Sequence, residues 1–355
     1  MINENLNIID LCKKPEQPEP VNRVFSDWLA SDYSGAISCR ISSSFRMKYK
    51  IEPGLYALGE PDANSDIFVS ANYKLSFDIL RKALSGLSAW LLVLDTKGIN
   101  VWCAAGKGTF GTEELIKKLK KVKADSFLNH RRVIVPQLGA VGVNADVVFK
   151  QTGFKVYFGP VYAKDIKAYI KSGRRKTPEM REIKFSIIDR LILIPREIIP
   201  AINKFLIFAV IILLFFGIGK TGILYKTAWI AGMPFLILGL TAIIAGSFIT
   251  PVFLPFIPFR SFALKGWLVG ILLAILVIFS FNLTEPRNIL IFSSEILFFP
   301  MASSYLALQF TGSTTFTNMS GVKKELKTAL PVYLTSAAIS IILLIVYKLY
   351  NLAVI

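Results

Sequence analysis

Cys103 stands in the run Gly98-Ile-Asn-Val-Trp-Cys-Ala-Ala-Gly-Lys-Gly-Thr-Phe-Gly111, directly after an apolar stretch that reads as a buried strand. A single soft thiol offered on a strand-to-loop turn is suited to ligating a metal or a metal-bearing cofactor. Gly106, Gly108 and Gly111 would let the backbone approach a large ligand closely, and Lys107 could meet an anionic group on it. The plainer alternative is that a lone cysteine in an α/β domain is a small buried hydrophobe. Two phosphate-binding motifs fit poorly. A P-loop needs GxxxxGK followed by Ser or Thr, whereas Lys107 precedes Gly108 and the earlier glycine, Gly98, is too distant. The segment Gly106–Gly111 formally matches GxGxxG, yet that role leaves Trp102 and Cys103 unexplained.

The other chemistry-bearing residues are few. Cys12, Cys39 and Cys103 are far apart and show no CxxC spacing, which argues against a disulfide framework or a structural zinc site and for thiols facing a reducing cytosol. His130, the one histidine, precedes Arg131 and Arg132 and reads as a surface residue at a helix end. It cannot build a histidine metal cluster alone.

The elements that must position Cys103 follow from the pattern beyond residue 50. Asp66–Ser70, Ala89–Asp95, Arg132–Val135 and Lys155–Phe158 read as strands. Ser76–Leu84, Thr112–Val122 and Ala145–Lys150 read as helices, the second with Thr112 as N-cap, Glu113 and Glu114 in its first turn and lysines near its end. Strands separated by helices predict a parallel, Rossmann-like α/β sheet. Ligands of such sheets lie at the carboxyl ends of the strands, where the loops Asn72-Tyr73-Lys74, Gly98–Gly111 and Gln137–Gly142, the last with Gly139, would converge.

Composition divides the chain. It has 355 residues, 53% hydrophobic, with a net charge of +17. Most of the charge lies in residues 1–197, whereas 198–355 holds repeated apolar runs of about 20 residues, enough to cross a hydrocarbon core. Five spans are expected at about 200–219, 227–249, 262–282, 289–311 and 329–350, with Pro251–Pro258 as a connector or partly re-entrant segment. Glu179–Ile199 mixes charge with Ile187, Ile188, Leu191, Ile192 and Ile194, as an interfacial helix does. The expected organisation is an extension (1–45), an α/β domain (46–175), an interfacial linker (176–199) and a five-helix membrane domain (200–355).

The basic residues crowd beside the membrane segments, from Lys164 to Lys184, so topology explains the charge and nucleic-acid binding is not expected. Arg260, Lys265, Lys323, Lys324 and Lys327 fall on the same side, against Lys220, Lys226 and the Glu285/Arg287 pair on the other. The N-terminal domain should therefore be cytosolic and the C-terminus opposite, in a multi-pass protein of the cytoplasmic membrane. No cleavable signal is visible in the polar, Pro-containing first thirty residues. Glu295, near Ser293 and Ser294 in the fourth span, is a functional candidate by its position, although helix packing or local water is the preferred reading over transport.

The residues Asn100-Val101-Trp102-Cys103-Ala104-Ala105-Gly106-Lys107 resemble the signature of the HgcA family, the membrane-bound corrinoid proteins of mercury methylation. Ser70–Asp78 and Val133–Gly142 look like cofactor-domain segments shared with the large subunit of the corrinoid iron-sulfur protein. The resemblance spans roughly residues 45–170, and the membrane tail follows the same plan. It implies a corrinoid (cobalamin, base-off) whose cobalt is ligated from below by Cys103 on a short cap helix. It also implies cofactor contacts from Asn72, Tyr73, Lys74, Asn100–Thr109, Gln137, Gly139 and Gly142. Asn100, Lys107 and Thr109 would hold the loop or contact corrin amides, while Trp102 and Phe110 would supply packing. The motif of histidine-ligated cobalamins, DxHxxG, is missing around His130, and so are the four clustered cysteines of an intrinsic iron-sulfur centre. Electrons would come from a ferredoxin-like partner, which the resemblance names as HgcB.

A thiolate ligand would push electron density onto cobalt, so that a methyl group on the opposite face could leave with carbanion character toward a soft electrophile such as Hg(II). The leading expectation is a methyltransferase that takes a methyl group from a donor protein or methyltetrahydrofolate and passes it to Hg(II). The alternatives are a methyl carrier of one-carbon metabolism and a non-enzymatic, corrinoid-binding membrane transporter or sensor. No histidine or cysteine lies beyond residue 130, so a thiol-lined mercury pore is not expected.

Overall fold

Ala89–Leu94 is apolar at every position and Ile67–Ala71 at all but Ser70, and both stretches are buried along their whole length. Strands covered on both faces have this composition. In the computed structural model, which describes residues 21–220, 222–283, 288–314, 316–317 and 319–352, they are central strands of a six-stranded sheet. The strands are β1 (Asn22–Val24), β2 (Leu55–Leu58), β3 (Ile67–Ala71), β4 (Ala89–Leu94), β5 (Arg132–Val135) and β6 (Lys155–Phe158), in the order β1-β2-β4-β3-β5-β6. The last four run parallel to one another. β2 pairs antiparallel with β4, and β1 pairs parallel with β2, so the sheet is mixed at one edge.

The helices of this unit are α1 (Ala30–Ile41), α2 (Ser43–Lys48), α3 (Lys74–Ala83), α4 (Val101–Gly106), α5 (Thr112–Lys121), α6 (Ala124–Phe127), α7 (Ala145–Thr152) and α8 (Ile166–Lys171). Alternation along the strands separates two cores. Val69, Leu92, Leu94 and Val133 meet Ala104, Phe110, Leu115 and Val148 on one face, and Phe68, Leu91, Val93 and Ile134 meet Phe77, Leu80 and Tyr169 on the other.

Three expectations are corrected here. Residues 22–45 are not an appendage: β1 joins the sheet, and Ala36 and Cys39 of α1 lie in the first core. The sheet is not wholly parallel, because β2 returns antiparallel beside β4. Gly111, not Thr112, occupies the N-cap of α5, and the Thr112 hydroxyl donates to the Gly142 carbonyl at 3.3 Å while accepting from the Asn144 N–H at 2.8 Å. Cys12 and the Glu285/Arg287 pair lie outside the described residues.

α1 is fastened by charge. Asp32 receives Lys74 Nζ and Arg81 Nη2 at 2.6 Å each, and Asp78 receives Lys74 Nζ at 2.8 Å and Arg81 Nε at 2.9 Å. The carboxylates are buried, and a buried ion pair holds only when such hydrogen bonds repay desolvation.

Contacts divide the chain between Ile183 and Lys184. The second unit contains five helical stretches long and apolar enough to cross a membrane among the described residues, which fits a multi-pass membrane protein. They are α9 (Ile187–Gly217); α10 (Tyr225–Ile243), continued through a π-helical turn at Ile244–Ile249 into α11 (Thr250–Val252); α12 (Phe262–Phe281); α13 (Ile289–Gln309); and α14 (Met319–Asn351). A short hairpin, β7 (Ile218–Gly219) and β8 (Gly222–Ile223), joins α9 to α10. The amphipathic segment and the first span, expected as separate elements, are one helix that runs through Pro195 and Pro200. Proline marks a break in sequence because it lacks an N–H, but a capping box at Ser186 and Asp189 starts this helix earlier and neighbouring structure tolerates the lost bonds. Glu295 is fully buried in α13.

Asp32 gives a pH signature. Burial alone would raise its pKa, but hydrogen bonds from Lys74, the Leu29 N–H and Arg81 bring it down to about 2. A depressed carboxylate pKa contributes stability that is complete above its unfolded value, about 3.9, and is lost as pH falls through about 2. Asp32→Asn should cost about 3 kcal/mol at pH 7, lowering the unfolding temperature of the first unit by about 8 °C. Thermal unfolding in detergent solution should show that deficit shrinking as the pH is lowered toward about 2.

Candidate functional site

The loops after β3, β4 and β5 emerge together at one edge of the sheet, because the three strands are parallel neighbours. The loop after β4 carries Cys103, and its shape is set from β3. Asn72 is 3% exposed. Its carboxamide oxygen accepts from Gly98 N–H at 2.8 Å, the Thr96 hydroxyl at 2.9 Å and Thr96 N–H at 3.1 Å, while its amide nitrogen reaches Asp95 Oδ1 at 3.4 Å. Lys97 and Gly98 both take positive φ, 59° and 75°, to turn the chain, and the Lys97 ammonium with its backbone N–H lowers the Asp95 pKa. A Cβ on Gly98 would stand 3.3 Å from the Met47 carbonyl, so glycine meets both the dihedral and the close approach there.

α4 then starts at an Asn100 N-cap, whose Oδ1 accepts from the Cys103 N–H at 3.2 Å. Ala104 and Ala105 face the core and are buried. The Ala104 carbonyl receives the N–H groups of Thr109 at 3.0 Å and Phe110 at 3.2 Å, which turns the chain so that Phe110 drops fully into the core. The same geometry directs Trp102, Cys103, Gly106 and Lys107 outward, and all four are exposed. Val101 lies at the rim of a cavity of about 90 Å³ that it shares with Ser70, Ser76, Ile134, Pro136 and Gly159.

The glycines sort into two kinds. Gly139 and Gly142 serve packing: a Cβ on either would overlap Phe110, its ring or its carbonyl oxygen, so the loop after β5 can press against α4 only without side chains. Gly108 has a φ of 81°, which terminates the helix. Gly106 has neither reason. Its φ is not in the left-handed region, and among the described residues a Cβ on it would meet no atom within 4 Å beyond its own helix backbone and chain neighbours.

The residues expected to touch a cofactor therefore divide. Asn100 through Thr109 and the Gln137–Gly142 loop come together, with α4 packed on the 3₁₀ turn Gln137–Gly139. The Gln137 carboxamide is engaged by the Lys176 ammonium, whose pKa burial lowers. Asn72, Tyr73 and Lys74 are instead turned inward. Tyr73 is buried, with its pKa raised by burial and by the adjacent Cys39 thiol, and Lys74 is committed to Asp32 and Asp78. Cys39 is buried and its thiol pKa is raised, first by desolvation, which leaves Cys103 as the exposed thiol among the described residues. His130 is half-buried, with Nε2 3.1 Å from the Ser65 carbonyl and Nδ1 accepting from the Arg132 N–H, and burial lowers its pKa. Its role is to shape a turn. Among the described residues no group of three or more His, Cys, Asp or Glu side chains could hold a metal ion, so Cys103 could contribute one ligand to a metal held by other means.

Residues 41–170 match the family described as CO dehydrogenase/acetyl-CoA synthase delta subunit. The chain is 30% identical over 128 residues to the acetyl-CoA decarbonylase/synthase complex subunit gamma of Archaeoglobus fulgidus, covering 36% of this chain and 27% of that protein. It is 30% identical over 125 residues to the corrinoid/iron-sulfur protein large subunit of Moorella thermoacetica, covering 35% and 28% respectively. The corresponding subunit gamma of Methanocaldococcus jannaschii is 32% identical over 97 residues, covering 27% of this chain and 20% of that protein. The family match falls within the first unit, and the chain spans less than a third of each relative's length.

Removal of the Asn72 carboxamide should loosen the Cys103 loop. Asn72→Ala would leave the buried N–H groups of Thr96 and Gly98 without their acceptor, while the Thr96 hydroxyl keeps the Ile99 carbonyl at 2.7 Å, a loss of about 2–4 kcal/mol. Hydrogen exchange should show reduced protection from Thr96 to Gly106, with little change in α7. Unchanged protection there would mean that the loop holds its shape without Asn72.

Proposed function

We propose that the α/β unit holds a corrinoid against the exposed face of α4, with Cys103 as the lower ligand of cobalt, and that the protein is a membrane-anchored methyltransferase of the HgcA kind whose methyl acceptor is Hg(II). The single observation that carries this reading is Cys103 itself, exposed on an N-capped helix beside a glycine that nothing in the protein requires. Glycine costs up to about 1 kcal/mol relative to alanine within a helix, and less in a last turn such as this one. A broad, flat ligand seated on Sγ supplies the missing reason, since a methyl group at residue 106 would intrude on it. The names of the relatives agree: one is a corrinoid/iron-sulfur protein, and the others are subunits of acetyl-CoA decarbonylase/synthase complexes.

A bound corrinoid supplies a cobalt centre that can carry a methyl group. The protein's part is positional and electronic. Asn100 and Asn72 fix the start of α4, which leaves Cys103 exposed, and its sulfur would supply a soft, electron-rich ligand to the metal of a bound corrinoid. Val101 borders the cavity that a displaced nucleotide base would enter, with Ser70 and Ser76 available to it as hydrogen-bonding groups. Lys107 and Thr109, in the same segment as Cys103, would contact ring amides, and Gly139 and Gly142 let the neighbouring loop pack close. Asn72, Tyr73 and Lys74 support the site from within.

The chain has only three cysteines, so reduction of the cobalt would depend on a separate iron-sulfur protein, a role that a ferredoxin-like HgcB would fill. A methyl-donor protein or methyltetrahydrofolate would load the site, and the soluble unit would face the cytosol. A second reading, a methyl carrier of one-carbon metabolism, is favoured by the names of the relatives and differs only in the acceptor. The acceptor decides between them.

With reconstituted protein and a reducing system, Cys103→Ala should lower methylmercury formation at least 100-fold and change the absorption spectrum of the bound corrinoid; full activity would exclude the ligand role. Methyl transfer to a nucleophilic acceptor but not to Hg(II) by the wild type would favour the one-carbon reading. Gly106→Ala should leave the unfolding temperature unchanged or slightly raised, while weakening corrinoid binding about tenfold (about 1.4 kcal/mol).

A further inference from the structure

The helices of the second unit alternate in direction. The Phe185 ring, just before α9, meets Phe310 at the end of α13; Glu325 of α14 bonds Ser261 at the start of α12; and Lys348 of α14 bonds the Phe216 carbonyl near the end of α9. The starts of α9, α12 and α14 therefore share one end of the unit. At that end a groove of about 530 Å³ opens between α12, α13 and α14. Nothing in the reading of Cys103 uses it.

The groove grades from charged to apolar. Its apolar lining is Leu264, Trp267, Met301 and Val332, of which Leu264 and Val332 are exposed and continue onto the outward faces of their helices. The hydroxyls along it are already satisfied within the protein: Ser304 lies 2.6 Å from the Ala263 carbonyl and 2.8 Å from the Tyr333 hydroxyl, and Thr328 donates to the Glu325 carbonyl at 3.0 Å. The Glu325 carboxylate is engaged too, accepting from the Ser261 hydroxyl at 3.0 Å and the Ala263 N–H at 3.2 Å at the N-terminus of α12. Lys324 stands at the mouth with no ion pair among the described residues, and Lys323 and Lys327 flank it on the first turns of α14. A polar end with an excess of positive charge, leading to an aromatic and aliphatic trough, matches one chemistry: an anionic head joined to a hydrocarbon chain.

We propose that this groove is a binding site for an anionic glycerophospholipid, with the phosphate on Lys324 and an acyl chain along Leu264, Trp267, Met301 and Val332. Charge complementarity selects the occupant. A zwitterionic lipid would fill the trough but bring no net charge to Lys324, and free phosphate would meet the lysine but leave the trough empty. The site would also join α12 to α14 at their exposed starts.

The test uses the full chain in a detergent with an uncharged head, titrated separately with phosphatidylglycerol, phosphatidylcholine and inorganic phosphate. Retained lipid is read by native mass spectrometry, and the unfolding temperature is followed in parallel. Phosphatidylglycerol should be retained about tenfold better than phosphatidylcholine and should raise the unfolding temperature, and phosphate should do neither. Lys324→Gln, a change at an exposed side chain, should reduce phosphatidylglycerol retention about fivefold, and Lys323→Gln less than twofold. Leu264→Trp, which fills the trough, should reduce retention of both lipids. Equal retention of the two lipids by the wild type would overturn the proposal, as would equal losses in the two lysine variants, which would indicate a diffuse surface potential. Displacement of phosphatidylglycerol by phosphate would overturn it as well, in favour of a simple anion site.

Discussion

One carboxamide oxygen organises the face on which Cys103 is displayed. Asn72 closes β3, and by accepting from Thr96 and Gly98 it dictates how the chain leaves β4. The alternative for these buried donors is to go unsatisfied, which costs more than a hydrogen bond ordinarily contributes, so the loop has little freedom. Everything downstream depends on that turn: the Asn100 cap, the seating of Ala104 and Ala105, and the outward direction of Cys103. A soft ligand is useful only if it is held where the metal will be, and here position comes from a neighbouring strand rather than from the loop's own sequence.

The support extends one layer further. Lys74, two residues beyond Asn72, is held by Asp32 and Asp78, and Asp32 also binds Arg81. The loop after β3 is thus anchored to α1 by charge while its asparagine anchors the loop after β4. Gly139 and Gly142 complete the support by letting the third loop press on Phe110. Three loops meet at this edge, where α4 packs on the loop after β5 and the loop after β3 is bonded within the protein.

Much of this was legible in the sequence, for identifiable reasons. The strands at 67–71, 89–94, 132–135 and 155–158 are short apolar runs bounded by turns, and the placement of three loops at one edge follows from the strands being parallel. The apolar spans announce themselves by length. What was not legible depends on tertiary pairing. β1 has three residues and no distinctive composition, and it becomes a strand only because β2 lies beside it. The intramolecular bonds of Asn72 and Lys74 were not foreseen, because residues at a strand's carboxyl end look alike whether they face a ligand or a neighbouring loop. The partner of Lys74 lies 42 residues away, a pairing that no local pattern announces. The amphipathic segment and the first span were read apart because charge gives way to an apolar run near residue 199, whereas the backbone helix continues across that change of composition and through both prolines.

The exposure of Cys103 bears on the choice of acceptor. Hg(II) is soft and binds thiolates strongly, so a bare surface cysteine would capture it and hold it at the wrong place for methyl transfer. On the proposed reading, a cobalt ion held by Sγ would remove that competition, because the same lone pairs would serve the metal. Cys39, the other described thiol, is buried and so out of reach, and burial raises its pKa. On the proposed reading, the protein therefore presents no thiol to mercury from its described residues once the cofactor is in place. The acceptor would then approach the opposite face of the ring, where the methyl group is, and its thiol carriers would have to come from a partner.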